Sequence, residues 1–140
     1  MRPTIAKIYL ENLRHNFKVI RSRIQPSAKM CVAIKADAYG HGAVQCAKVA
    51  LECGADYFAV SIINEGIQLR EAGIKVPILV LSLCSPDEMD DLVKYDLTPL
   101  VFDEEYITGI AVSCLRLGKK GFPVHLALDT GMGRIGCLPE

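Results

Sequence analysis

The chain has 140 residues, 51% of them hydrophobic, and its 16 basic and 16 acidic side chains cancel. That length and apolar share suit one globular domain with a sizeable core and exclude a disordered chain. Charge balance leaves no net field to gather nucleic acid or an anionic membrane, so the expected partner is a small molecule.

The opening stretch "MRPTIAKIYLENLRHN" has neither the apolar centre nor the small-residue cleavage site of a signal peptide. No later run reaches the eighteen or so apolar residues that a membrane span needs. A cytoplasmic address is expected. Residues 4–10 read as a strand and residues 10–24 as a helix. From there short apolar runs alternate with amphipathic stretches: "MCVAIK" before "GAVQCAKVALECGA", "YFAVSI" before "NEGIQLREAGI", "PILVLS" before "SPDEMDDLVKYD", "LTPLVF" before "DEEYITGIAVSCLRLG", and "FPVHLALD" last. These are βα units about twenty residues apart, and their Val-, Ile- and Leu-rich runs predict parallel strands buried on both faces. Asn64, Ser85-Pro86 and Asp103 read as helix starts, and Gly54, Gly73 and Gly118 as stops.

Such a repeat fits a doubly wound sheet or a β/α barrel. A barrel takes eight strands and about 250 residues, whereas five core strands are visible here. The expected fold is therefore α/β, a partial (β/α)8 TIM-type barrel of roughly the first five βα units that does not close. After the fifth strand come "DTGMGRIGCLPE" and a Pro139-Glu140 pair that reads as a helix start, so the chain is expected to be the first part of something larger. The six cysteines include no C-x-x-C pair and sit mostly in apolar-periodic segments. They are expected as reduced, small hydrophobes, with no metal site.

Chemistry concentrates around "VAIKADAYGHG". In parallel α/β folds ligands sit at the carboxyl ends of strands, which is where Lys35 falls. Read by residue type, Lys35 either snorkels to solvent or is held in a site, where burial would favour the neutral, nucleophilic amine. Tyr39 is either an interfacial aromatic or a phenol turned towards a ligand. His41 reads as a loop hydrogen-bonder. Gly40 and Gly42 allow unusual backbone, and Gly42 leads into a helix whose first amides favour anions. An amine, a phenol and an amide-rich turn together suit an aldehyde cofactor carrying a phosphate.

"VAIKADAYGHG" resembles the pyridoxal phosphate signature of alanine racemases, and the likeness extends through "FAVSIINEGIQLREAGI", "PILVLS" and "LTPLVF" to "DTGMGRIG". The resemblance implies that Lys35 carries pyridoxal 5'-phosphate and moves a proton on one face of the substrate, and that Tyr39 hydrogen-bonds the cofactor phosphate. It implies that Arg134 lies beside the cofactor's phenolic oxygen and holds the substrate carboxylate, a task suited to a guanidinium. Leu81 matches a position lining the cofactor pocket, though it also reads as a core leucine. "GMGRIG" satisfies the dinucleotide pattern G-x-G-x-x-G as well, but it arrives in the fifth βα unit rather than the first.

Several wider expectations rest on the same resemblance. Residues 1–11 would supply a strand to a C-terminal β-domain, residues 12–140 would be the incomplete barrel, and the β-domain itself is absent. The reaction would be interconversion of L- and D-alanine, supplying D-alanine for peptidoglycan, by a homodimer in which a partner tyrosine of that β-domain is the second base. Residues 1–140 alone would then be nearly inactive, and could self-associate. One departure stands out: Ala127 replaces a lysine that in many family members is carbamylated and steadies the arginine. A broad-specificity or serine racemase is therefore an alternative, as is a non-catalytic cofactor-binding half-barrel; a fold-related decarboxylase of basic amino acids is disfavoured by "AYGHG".

Overall fold

The computed structural model describes residues 3–138; Pro139 and Glu140, expected to start a helix, lie outside the described residues, as do the first two residues of the N-terminal segment. Helix α1 (Leu10–Arg23) leads into five parallel strands: β1 (Cys31–Ala33), β2 (Tyr57–Val60), β3 (Ile78–Val80), β4 (Thr98–Val101) and β5 (His125–Leu126). Between them lie a short turn α2 (Lys35–Gly40), α3 (Ala43–Glu52), α4 (Ile63–Glu71), α5 (Met89–Lys94) and α6 (Glu104–Arg116).

The strands lie side by side in chain order, β1-β2-β3-β4-β5, every pair parallel. Each crossover therefore advances in one direction. Right-handed connections then put every helix on the same face of the sheet, as in a barrel and unlike a doubly wound sheet, where the order reverses. Burial agrees: Phe58, Val60, Ile78, Val80 and Val101 are 0–2% exposed beneath the helices, each contributing roughly 1.5–3 kcal/mol on burial. The register sets Ala33 opposite Ala59 and Leu79 opposite Thr98. On that second face Ala59 and Thr98 are buried, Leu79 and Leu100 half-buried, and Cys31, Ala33 and His125 of the outer strands exposed. The expectation of strands buried on both faces is thus corrected at β1 and β5. Helices cover one face of an open sheet.

Local signals account for most boundaries. Asp103 caps α6, its Oδ1 accepting from Tyr106 N at 2.8 Å. A 3-10 turn at Pro86–Glu88 starts α5, with Glu88 accepting from Ser85 N at 3.0 Å. Gly54, Gly73 and Gly118 end helices at φ of +85°, +85° and +67°, conformations glycine adopts without strain. One expectation needs correction. Helix α4 begins at Ile63 rather than being capped by Asn64, and Glu65 accepts from the amides of Ser61 and Ile62 just before it. Of residues 4–10, expected as a strand of a separate β-domain, 4–9 join no ladder of this sheet among the described residues and Leu10 opens α1.

Arg70 ties three segments at the foot of the sheet. Its guanidinium donates to four backbone carbonyls: Val76 O at 2.7 Å, Ile74 O at 2.8 Å, Asp96 O at 2.9 Å and Tyr95 O at 3.0 Å. Burial lowers its pKa, opposed by the nearby Asp96 charge. No helix among the described residues is long and apolar enough to cross a membrane.

Candidate functional site

Strand β1 stops at Ala33, and Ile34 N still donates to Ala59 O at 2.8 Å, which holds the strand end against β2. Lys35 follows, half-buried. The chain then makes an unusual move. Ala36, Asp37, Ala38 and Tyr39 all have left-handed helical backbone, with φ of 49–56°. None is glycine, and for L-residues this conformation costs roughly 1–2 kcal/mol each. Hydrogen bonds hold the turn: Ala38 N to Ile34 O at 2.9 Å, Gly42 N to Asp37 O at 2.9 Å and His41 N to Ala38 O at 3.1 Å. His41 Nδ1 lies 2.9 Å from Ala38 O, a bond that requires the proton on Nδ1. Its observed role is in the turn.

Two carboxylates lock the turn, one its own and one from α4. Asp37 Oδ1 accepts from Ala43 N at 2.7 Å, so this first amide of α3, expected to serve an anion, is taken by the chain's own aspartate. Glu65 Oε1 accepts from Ala36 N at 2.7 Å. Its other oxygen accepts from Ser61 N at 2.7 Å and Ile62 N at 3.3 Å.

The carboxyl ends of the strands surround a cleft of about 410 Å3, lined by Lys35, Ser61, Leu81, Ser82, Leu83, Leu100, Arg134 and Ile135. Its volume falls in the range of small-molecule sites, and the mixture of apolar walls with a few convergent polar groups is what such sites need. Three residues singled out from the sequence, Lys35, Leu81 and Arg134, meet here. Tyr39 does not line this cleft: it is 60% exposed and borders a separate hollow at the β1 edge with Leu13, Phe17, Ile34 and His41. Ser61 and Ser82 went unnoticed in the sequence. The strand-end rule that picked out Lys35 would have found both, since Ser61 directly follows β2 and Ser82 stands two residues after β3, as Lys35 does after β1.

Arg134 is brought to the cleft by the loop after β5. Asp129 Oδ1 accepts from Gly131 N at 2.9 Å and Gly133 N at 3.0 Å. Those amides hold the Asp129 carboxyl below its ordinary pKa, Gly133 contributing most. The loop closes on itself through Asp129 N to Cys137 O at 2.8 Å and Cys137 N to Ala127 O at 3.0 Å. A side chain at Gly136, where φ is +110°, would stand 2.6 Å from Asp129 N, so only glycine lets the two passes approach. Among the described residues Arg134 makes no side-chain hydrogen bond or ion pair. Ala127, beside the loop, has no polar group to steady it.

The donor set fits pyridoxal 5'-phosphate in part. An amine is present for the aldehyde, leucine and isoleucine walls for the ring, and a guanidinium for a phenolate or carboxylate. Hydroxyls of Ser61 and Ser82 offer further hydrogen bonds.

The family model described as alanine racemase, N-terminal domain, matches residues 8–140. An alanine racemase of Treponema denticola is 50% identical over 139 residues, covering 99% of this chain and 36% of that protein. One of Carboxydothermus hydrogenoformans is 48% identical over 136 residues, covering 97% of this chain and 36% of that protein. Among solved structures, the alanine racemase of Clostridium difficile 630 in complex with cycloserine superimposes with a TM-score of 0.94 at 41% identity, covering 100% of this chain and 38% of that one. The chain thus spans about 36% of the length of the curated relatives it matches, and its open sheet corresponds to the N-terminal half of their barrel.

Proposed function

This chain belongs to the alanine racemase N-terminal domain family, and from that premise we propose that it forms the cofactor-bearing part of a pyridoxal-phosphate-dependent racemase acting on L- and D-alanine. The observation that carries this reading is the meeting of Lys35 and Arg134, from opposite ends of the chain, in one cleft at the strand ends. The cofactor, when bound, supplies the electron sink that acidifies the substrate's α-proton.

The chain's own residues divide the work. Lys35 Nζ holds the cofactor aldehyde and afterwards takes or returns the α-proton on its side of the substrate. Arg134 holds the substrate carboxylate and stabilises negative charge at the ring oxygen, with no competing carboxylate partner among the described residues. Leu81, Leu83 and Leu100 exclude water from the ring. Tyr39 is assigned to the phosphate on motif resemblance alone, since it does not line the cleft described above.

Inversion needs a second base on the opposite face, and among the described residues lining the cleft only Lys35 and Arg134 are ionisable. Arginine stays protonated. We therefore assign the second base to a group outside residues 3–138, with a homodimer as the full assembly, a cytoplasmic location and residues 1–140 nearly inactive alone. Residues 1–11 are assigned, in the same reading, to a C-terminal β-domain. Ala127 favours a second reading, broader substrate choice, because it leaves Arg134 without the lysine-derived support seen in many relatives.

The test is spectroscopic. Pyridoxal 5'-phosphate mixed with the chain should give an absorbance change that Lys35→Ala abolishes. Equal absorbance from Lys35→Ala would remove this lysine from the scheme.

A further inference from the structure

Glu65 has one more hydrogen bond than its place at a helix start calls for. As the third residue of α4 its Oε2 meets the amides of Ser61 and Ile62, the carboxylate half of a capping box to which Ile62, a hydrocarbon, returns nothing. Its Oε1 leaves that helix and crosses to Ala36, 29 positions earlier, at 2.7 Å. Glu88, the comparable capping carboxylate and third residue of the Pro86–Glu88 turn, accepts only from Ser85 among the described residues.

The amide that Glu65 engages is the one joining Lys35 to Ala36. Fixing its N–H fixes that peptide plane, and with it the direction in which the Lys35 side chain leaves the backbone. Ala36 is also the first of the four left-handed residues, at φ 49° and ψ 50°. An unfavourable conformation persists only where surrounding groups over-determine it. Here the acceptor at the point where the hand reverses belongs to another βα unit. The same carboxylate binds Ser61, which lines the cleft beside Lys35. One side chain therefore ties together two walls of the cleft.

We propose that Glu65 is the positioning residue for Lys35: its carboxylate holds the left-handed turn and so aims the Lys35 amine into the cleft. The proposal rests on the reading of Lys35 as the amine that takes up the cofactor. Both carboxylate oxygens are needed. Glutamine offers one carbonyl oxygen, and its NH2 would face an N–H donor, so in Glu65→Gln either the cap or the Ala36 tether is lost.

The experiment compares Glu65→Gln with Glu88→Gln, which removes a helix-start carboxylate bonded only to Ser85 and not to the Lys35 turn. Each full chain is incubated with pyridoxal 5'-phosphate and treated with borohydride. Condensation of Lys35 Nζ with the aldehyde carbon releases one water, and hydride then fixes the new C–N bond as a secondary amine. Peptide mass spectrometry gives labelling at Lys35 relative to Lys48, an exposed lysine of α3. Amide exchange of residues 36–39 is followed by NMR.

Glu65→Gln should lower the Lys35 to Lys48 labelling ratio about tenfold and speed exchange at Ala36 by a similar factor, as expected when a reacting group loses its aim. Glu88→Gln should change neither by more than about twofold. Loss of stability alone moves both variants alike and leaves the ratio intact in the folded molecules. An unchanged ratio in Glu65→Gln, with Lys35 labelled preferentially in the parent, overturns the positioning role. Absence of preferential Lys35 labelling in the parent overturns the proposed function instead, and the positioning role with it. Should Glu65→Gln not fold, Glu65→Asp is read the same way, since the shorter carboxylate cannot span both contacts.

Discussion

Replacing Ala36 with glycine should stabilise this protein. In most settings the change does the opposite, because glycine has more conformational freedom to lose on folding, about 0.4–1 kcal/mol. At φ 49° and ψ 50°, however, the Cβ of Ala36 carries a left-handed penalty of roughly 1–2 kcal/mol, which glycine does not incur. Ala36 is exposed, so its methyl contributes little packing, and its N–H bond to Glu65 is retained. The net gain is about 0.5–1 kcal/mol, a rise in Tm of about 2–4 °C for a chain of this size. Ala111, exposed in the interior of α6, provides the contrast: Ala111→Gly should lose about 1 kcal/mol. Urea denaturation followed by circular dichroism, with equal slopes for both variants, measures the gap of about 1.5–2 kcal/mol. If Ala36→Gly proves as destabilising as Ala111→Gly, the turn after Lys35 is not left-handed, and the account of how Lys35 is held fails.

Two other perturbations probe the scaffold. Arg70→Ala should cost about 2–4 kcal/mol, since four carbonyls lose a charged donor and partly regain water; Arg70→Lys should restore less than half, as an ammonium lacks the planar fork, and full restoration in the urea midpoint would contradict this. The Asp129 loop should be insensitive to pH between 7 and 5. Because the folded carboxyl titrates below its unfolded value of about 3.9, its contribution is complete above that value and is lost as pH falls through the lower, folded one. NMR shifts of the Gly131 and Gly133 amides should move only in that acid range and be flat in Asp129→Asn, which keeps an acceptor oxygen; movement between pH 7 and 5 would refute the assignment.

The sequence revealed the number of βα units, because Val-, Ile- and Leu-rich runs alternate with capped amphipathic helices whose periods differ. It also placed Lys35, Leu81 and Arg134 in one site, through strand-end position and through motifs that resemble a known family. Serines at the same strand ends were equally legible and were passed over. Tyr39 shows where the motif stops informing: its spacing from Lys35 is plain, but its exposure at the β1 edge follows from the path of the turn between them.

The alternation of apolar periods by itself determined that this is a parallel α/β chain, and "VAIKADAYGHG" singled out the amine to which the proposed chemistry is assigned. Only the tertiary structure decided the hand of the turn after that amine. Alanine and tyrosine favour right-handed or extended backbone locally, and the turn's own bonds, Gly42 N to Asp37 O and Ala43 N to Asp37 Oδ1, oppose that preference only in part. The acceptor at the start of the turn is Glu65, which reaches Ala36 from the next βα unit. A conformation held in part by a distant carboxylate cannot be read from the residues that adopt it alone. The one-sided cover of the sheet is decided in the same way, by strand order acting on right-handed crossovers.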